Sequence, residues 1–226
     1  MLVSSFSILA AGFSLGLLHA LDADHVMAVS TLSSRKPGLL NSFKHSAHWA
    51  LGHAGMLVMI GMLLFGLGVN IPTSFQHVAE ASVGVLLMVM GVWCLWHFKK
   101  NPIRFTEHRH GDVVHRHLCL SDEKNSEHEK TAKHAPVFIG MLHGLAGSAP
   151  ALALVPIVMQ GQLMVAISYL VVFSIGVLIS MVMFGAMLGQ LQVKLQNFNV
   201  KLYQASRYLI ASASVVLGGV WLGQSL

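Results

Sequence analysis

The sequence predicts an all-α polytopic membrane protein, six transmembrane helices built as an inverted three-plus-three repeat. Hydrophobic residues make up 54% of the 226-residue chain and charged residues only 10%, against about 25% charged in a soluble domain. The few charges are segregated: residues 46–98 hold one, Glu80, and residues 137–193 hold none. A histidine-bearing hexamer occurs twice, GLLHAL at residues 16–21 and GMLHGL at residues 140–145, 124 residues apart.

Six apolar segments are expected to span, over residues 2–21, 49–69, 78–98, 137–159, 163–189 and 205–222. Each approaches or exceeds the roughly 20 residues a helix needs to cross a bilayer. The first could continue to about residue 30. Its start, MLVSSFSIL, has no basic region, so it reads as a retained span and not a cleaved signal peptide. All fourteen bases fall in three segments: Arg35, Lys36 and Lys44 after span one; Lys99 to Lys133 after span three; Lys194, Lys201 and Arg207 after span five. With six spans these lie on one side, which the positive-inside rule makes cytoplasmic, with both termini outside an inner (plasma) membrane. The net charge of +5 is thereby explained by topology, and no nucleic-acid partner is expected.

Three spans per half is an odd number, so the halves must be inverted. That is an architecture of secondary transporters, with the site near the midplane at the repeat interface. GVW at 91–93 and 219–221 is a second match, 128 residues apart, weak enough alone to arise by chance. The chain divides into a first membrane repeat (1–98), a His-rich cytoplasmic linker (99–136) and a second repeat (137–226). The linker carries six histidines, among them the His108/His110 and His115/His117 pairs, and almost no apolar periodicity, so it is expected to be weakly ordered. Leu191, Leu195, Phe198 and Leu202 recur at helical spacing and predict a short interfacial helix over 190–203.

The densest chemistry is GLLHALDADHVMAV, residues 16–29. An ionisable group in a span costs at least ~2.5–3.5 kcal/mol, so its default reading is functional. On a regular helix His19, Asp22 and His25 form one polar stripe. Asp24 points elsewhere unless the helix unwinds there, as helices at transporter sites often do. Imidazole with carboxylate suits first-row divalent ions such as Ni, Co and Zn. Alternatively, Asp22, Asp24 and His25 mark a solvated helix end, although His19 lies inside the apolar run. His53 is the deepest of His45, His48 and His53, and is either a ligand or a packing residue. His143 is the repeat mate of His19, and Ser148 takes the place of Asp24. Gly147, Pro150 and Pro156 argue against a regular helix there. Gly12/Gly16, Gly140/Gly144 and Gly185/Gly189 are small-residue pairs suited to close helix packing. The thirteen methionines form no Met-x-Met series and read as packing.

At HALDADH the chain resembles the nickel/cobalt transporter superfamily, in particular its compact six-span, urease-accessory-like members. His19, Asp24 and His25 match the family's H-x4-D-H motif, and Asp22 fills an inner acidic position typical of it. Leu51-Gly52-His53 resembles a second signature, with Ala54 and Gly55 in place of its hydroxyl residues. The resemblance implies transport of Ni2+ or Co2+, with His19, Asp24 and His25 essential, and metallochaperone or nickel-enzyme maturation proteins as partners.

The expected function is therefore membrane transport of a divalent transition metal, with His19, Asp22, Asp24, His25, His53 and His143 forming the site. The metal is substrate; no cofactor and no catalysis are expected. The chain has no phosphate loop, HExxH or GxSxG motif. Uptake is favoured, since a dication moving inward gains about 4.6 kcal/mol at 100 mV. Proton-coupled efflux is an alternative. A membrane thiol–disulfide carrier is another, but it needs two intramembrane cysteines, and of Cys94 and Cys119 only Cys94 lies in a span.

Overall fold

The computed structural model describes residues 2–34, 38–67, 73–100, 104–110, 113–119, 135–146 and 163–225. Seven helices and one hairpin are formed among them: α1 (Leu2–His19), α2 (Ala23–Ser33), α3 (Leu39–Leu67), α4 (Thr73–Lys100), β1 (Arg104–His110), β2 (Val113–Cys119), α5 (Ala135–Ala146), α6 (Leu163–Phe198) and α7 (Val200–Ser225). Four of the described helices are long and apolar enough to cross a membrane: α3, α4, α6 and α7. α1 and α2 together would make a fifth span, bent by 55° at the break between them. Valines 85, 89 and 92 of α4 and 216 and 220 of α7 stay exposed, as lipid-facing residues should. The chain is a multi-pass membrane protein.

Where a fourth span is expected, over 137–159, the described residues form only the short apolar helix α5, of 12 residues; the rest, 147–159 with Ser148, Pro150 and Pro156, lies outside the described residues. The interfacial helix expected over 190–203 is instead the end of α6 and the start of α7. The division falls at Asn199, whose side-chain oxygen accepts from the amides of Lys201 (2.9 Å) and Leu202 (3.2 Å), an N-cap that starts a new helix. Within the linker, β1 and β2 form an antiparallel hairpin with His108 opposite His115. Phe105, Thr106, Val113 and Val114 supply the β-branched and aromatic content that favours strands.

Close backbone approaches organise the bundle. Gly16 packs on the Phe173 carbonyl and Gly140 on that of Trp49; Gly176 packs on Phe13 and Gly52 on Val137. α1 thus lies on α6 as α5 lies on α3, and in each pair of contacts both partners are 124 residues apart. α4 crosses α7 where Gly84 faces Gly218, and a methyl group at Gly84 would stand 2.8 Å from the Gly218 carbonyl oxygen. The two GVW glycines, 128 residues apart, sit in different surroundings. Gly91 is packed against Ala211 and Val215, whereas Gly219 meets nothing within 4 Å.

The basic ends of the helices meet at one end of the bundle. Arg207 of α7, buried, donates from Nε to the Ser34 carbonyl beyond α2 (3.1 Å) and lies 3.9 Å over the Phe98 ring of α4. A cation there complements the C-terminal dipole of α2. Gly189 of α6 packs on Ser42 and on Gly38, whose φ of 145° suits the turn into α3.

Candidate metal centre

The site begins with a broken helix. After His19 the i→i−4 ladder gives way: the amides of Leu21 and Asp22 bond to Leu18 (2.8 Å) and His19 (3.1 Å). Asp22 has extended backbone (φ −60°, ψ 147°) and stands at the N-cap of α2, where Val26 bonds back to it (3.0 Å). The break re-aims everything after it. The single stripe expected of His19, Asp22 and His25 on a regular helix is not what forms. Asp24, two residues further on, turns inward and is only 6% exposed, while the Asp22 side chain is 54% exposed.

Two carboxylate–imidazole pairs result. His19 Nδ1 lies 2.8 Å from Asp22 Oδ2, and His25 Nδ1 lies 2.9 Å from Asp24 Oδ1. The second oxygen of Asp24 accepts from His143 Nε2 of α5 at 2.9 Å. The helix break therefore joins the two halves of the sequence through one buried carboxylate. His53 enters from α3, stacked on Trp49 with ring centroids 5.4 Å apart and planes at 10°. Gly140 and Gly144 let α5 press against Trp49 and His53, which brings His143 into reach.

His25 is the hub. Its ring centroid lies 4.5 Å from that of His19, 4.9 Å from His53 and 4.7 Å from His143. His25, His53 and His143 are fully buried. Two triads have donor atoms mutually within 4.8 Å: His19, His25 and His53, and Asp24, His25 and His143. Their hydrogen-bonding states differ. In the second triad Asp24 already accepts from both imidazoles, and His143 Nδ1 is the one further ring nitrogen left buried without a partner among the described residues. In the first, His19 Nε2, His25 Nε2 and both nitrogens of His53 are buried with no partner among the described residues. A buried polar atom without a partner costs about 1–3 kcal/mol. One nitrogen from each of the three rings gives a three-nitrogen donor set of the kind that could hold a cation. The Asp–His pairing behind His19 and His25 is the arrangement that orients a metal-binding imidazole and raises its basicity.

All six residues expected from the sequence thus lie at or beside one cluster, including Asp22 at its exposed edge. His45 and His48 lie apart, with their Nδ1 atoms at 2.6 Å from the Asn41 and Lys44 carbonyls, inside their own helix. The sequence reading missed Trp49, which walls the site beside both His53 and His143, and Arg207, which anchors the far end of α2. Helical spacing was the available signal for Trp49, four residues before His53 on the same face. The glycine-paired positions act in packing, as their spacing implied.

Comparison with known proteins agrees with a membrane bundle of this kind. The chain is 29% identical over 217 residues to the urease accessory protein UreH of Bacillus sp. (strain TB-90), covering 96% of this chain and 90% of that one. No solved structure matches. A family model described as the cytochrome C biogenesis protein transmembrane region matches residues 11–220, from within α1 to within α7. The chain belongs to that transmembrane family.

Proposed function

We propose that this protein transports a divalent transition-metal ion, Ni2+ or Co2+, across the membrane by way of the histidine cluster. The observation that carries the reading is the convergence of unpartnered nitrogens on His19, His25 and His53, two of them backed by carboxylates. Neutral imidazoles select borderline first-row ions over Mg2+ and Ca2+, which prefer oxygen. Asp24 and Asp22 supply the negative charge that offsets a dication without occupying its coordination sphere. His143 holds Asp24 from the second half. A relative named for accessory service to urease agrees with the nickel/cobalt resemblance carried by His19, Asp24 and His25. Maturation proteins of a nickel enzyme would then receive the ion.

Six spans and an inverted repeat complete the proposal. The matched contacts Gly16–Phe173 with Gly140–Trp49, and Gly176–Phe13 with Gly52–Val137, support a two-fold relation between halves. Placing the basic loops and the His-rich linker in the cytoplasm, with the termini outside an inner membrane, follows the positive-inside rule. Import is the favoured direction, because the membrane potential alone drives a dication inward.

The family's description favours a second reading, thiol–disulfide electron transfer. That chemistry needs two thiols able to meet. Cys94 is buried in α4, its Sγ 3.8 Å from the Thr31 carbonyl, and Cys119 ends β2. One experiment separates the readings. Purified protein in oriented proteoliposomes is assayed for radioactive Ni2+ and Co2+ flux, with Zn2+ and Fe2+ as competitors. The C94A/C119S variant should retain flux, and His53→Ala should lose it at least tenfold. Flux that survives His53→Ala, or dies with the cysteines, defeats the transport site described here.

A further inference from the structure

Beyond the cluster, α3 and α6 share a seam that neither the metal site nor simple packing accounts for. Ser42 and Ser46 are buried on the face of α3 that continues through Trp49 to His53. Serine in an apolar helix ordinarily bonds back to a carbonyl three or four residues earlier. Ser14, Ser82 and Ser206 of this chain do so. The hydroxyls of Ser42 and Ser46 do not, and neither has a partner among the described residues. They point across the seam at Gly189 and Gly185 of α6, where any larger residue would strike the hydroxyl oxygen itself. Gln192, one turn further along α6 and 2% exposed, leaves both polar atoms of its amide unpartnered as well.

These groups lie in a line. Ser46 is about 10 Å and Ser42 about 16 Å from His53 along the axis of α3, at 1.5 Å per residue. Gln192 lies past them, toward the basic end of the bundle. The residues 124 positions on from Ser42 and Ser46 are Ala166 and Leu170, buried and apolar. Helices of this kind therefore pack without hydroxyls at the equivalent place, although Tyr169 and Ser174 also leave buried hydroxyls unpartnered nearer the other end of α6.

We propose that the α3–α6 seam is the lane by which a hydrated divalent cation passes between the histidine cluster and the basic face of the membrane, closed in this structure by α6 lying against α3. Hydroxyl and amide groups substitute for lost hydration water, and having no charge they do not trap the ion, as a conducting path requires. Gly185 and Gly189 keep the hydroxyls reachable when the helices part. The proposal rests on the transport reading, but lane access is measurable without any cargo.

The test uses single cysteines at Ser42 and Ser46 in the C94A/C119S background, in vesicles of known orientation. The probe is a permanently charged methanethiosulfonate added to one side at a time. Both positions should react from the basic-loop face only, Ser42→Cys faster than Ser46→Cys, and each at least tenfold faster than the lipid-facing control Val85→Cys. Gly189→Val is the second arm: it should cut Ni2+ flux at least tenfold while equilibrium Ni2+ binding by the purified protein changes less than threefold. Reaction at neither serine position from either face, or reaction from the opposite face only, overturns the lane. So does Gly189→Val with unchanged flux, or with binding lost in parallel. If cysteine access is as expected but the unsubstituted protein moves no metal, the transport reading fails and the hydrated seam stands.

Discussion

Asp24→Asn is the substitution that most sharply distinguishes a carboxylate that orients ligands from one that binds metal. In the structure each Asp24 oxygen accepts one imidazole N–H, from His25 Nδ1 and His143 Nε2, both at 2.9 Å. Asparagine keeps one acceptor and sets an NH2 donor against the other imidazole. One of the two rings must turn or change tautomer, and the buried negative charge is lost. Loss of a group hydrogen-bonded to a ligating imidazole costs about 10–100-fold in metal affinity, or about 1.4–2.8 kcal/mol. Stability should fall modestly, because one buried imidazole N–H is left without its acceptor, at about 1–3 kcal/mol. The assay is a Co2+ titration of purified protein read by ligand-field absorption, beside a thermal melt of the metal-free protein. The expected result is a weaker affinity in that range, a band shape still reporting the same nitrogen donors, and a melting transition that is somewhat lower but still cooperative. An affinity within threefold of the parent refutes the orienting role. A band shape that has lost a ligand shows that Asp24 coordinates directly. A collapse of the melt shows that the residue serves the fold.

Other perturbations follow from the same contacts. Arg207→Met breaks a buried charge-assisted bond to the Ser34 carbonyl and should destabilise the protein by about 1.5–3 kcal/mol; Arg207→Lys should recover only part of this, because lysine cannot reproduce the planar stack on Phe98, and unfolding in mixed detergent measures both. Gly84→Leu places a side chain where the Gly218 backbone sits, so α4 and α7 should separate and a disulfide engineered across that crossing should no longer form. Cysteines near residues 115 and 192 should react with impermeant reagents from one face and those near 72 and 161 from the other; labelling of 115 and 161 from the same face refutes six spans. Replacing residues 105–133 by a Gly/Ser linker should leave maximal flux largely intact and change only the dependence on metal concentration; loss of flux at saturating metal would put the linker in the transport path.

Much of the site was legible in the sequence because burying charge in an apolar run is costly, so each such residue announces itself. His19, Asp24, His25 and His53 stand out on that ground, and His143 by the repeated hexamer. What periodicity hid was the break at Ala20–Asp22. An unbroken helix selects Asp22 as the inward carboxylate, and the turn at Ala20–Leu21 with an extended Asp22 reverses that choice in favour of Asp24. Stacking of Trp49 on His53 and anchoring of α2 by Arg207 depend on helices distant in sequence, and composition does not encode such contacts. GVW illustrates the opposite error, since similar letters occur where the packing differs. The 124-residue offset of the histidine hexamers is also the offset between the paired glycine contacts, Gly16–Phe173 with Gly140–Trp49 and Gly52–Val137 with Gly176–Phe13.

The central claim is that the imidazoles of His19, His25 and His53 together hold the transported ion. X-ray absorption at the nickel edge, on purified protein loaded with one equivalent of Ni2+, tests it most directly. The account predicts stoichiometric binding with three imidazole ligands, falling to two in His53→Ala, and no sulfur in the coordination sphere. Binding with no imidazole scattering, or a spectrum unchanged by His53→Ala, would contradict it.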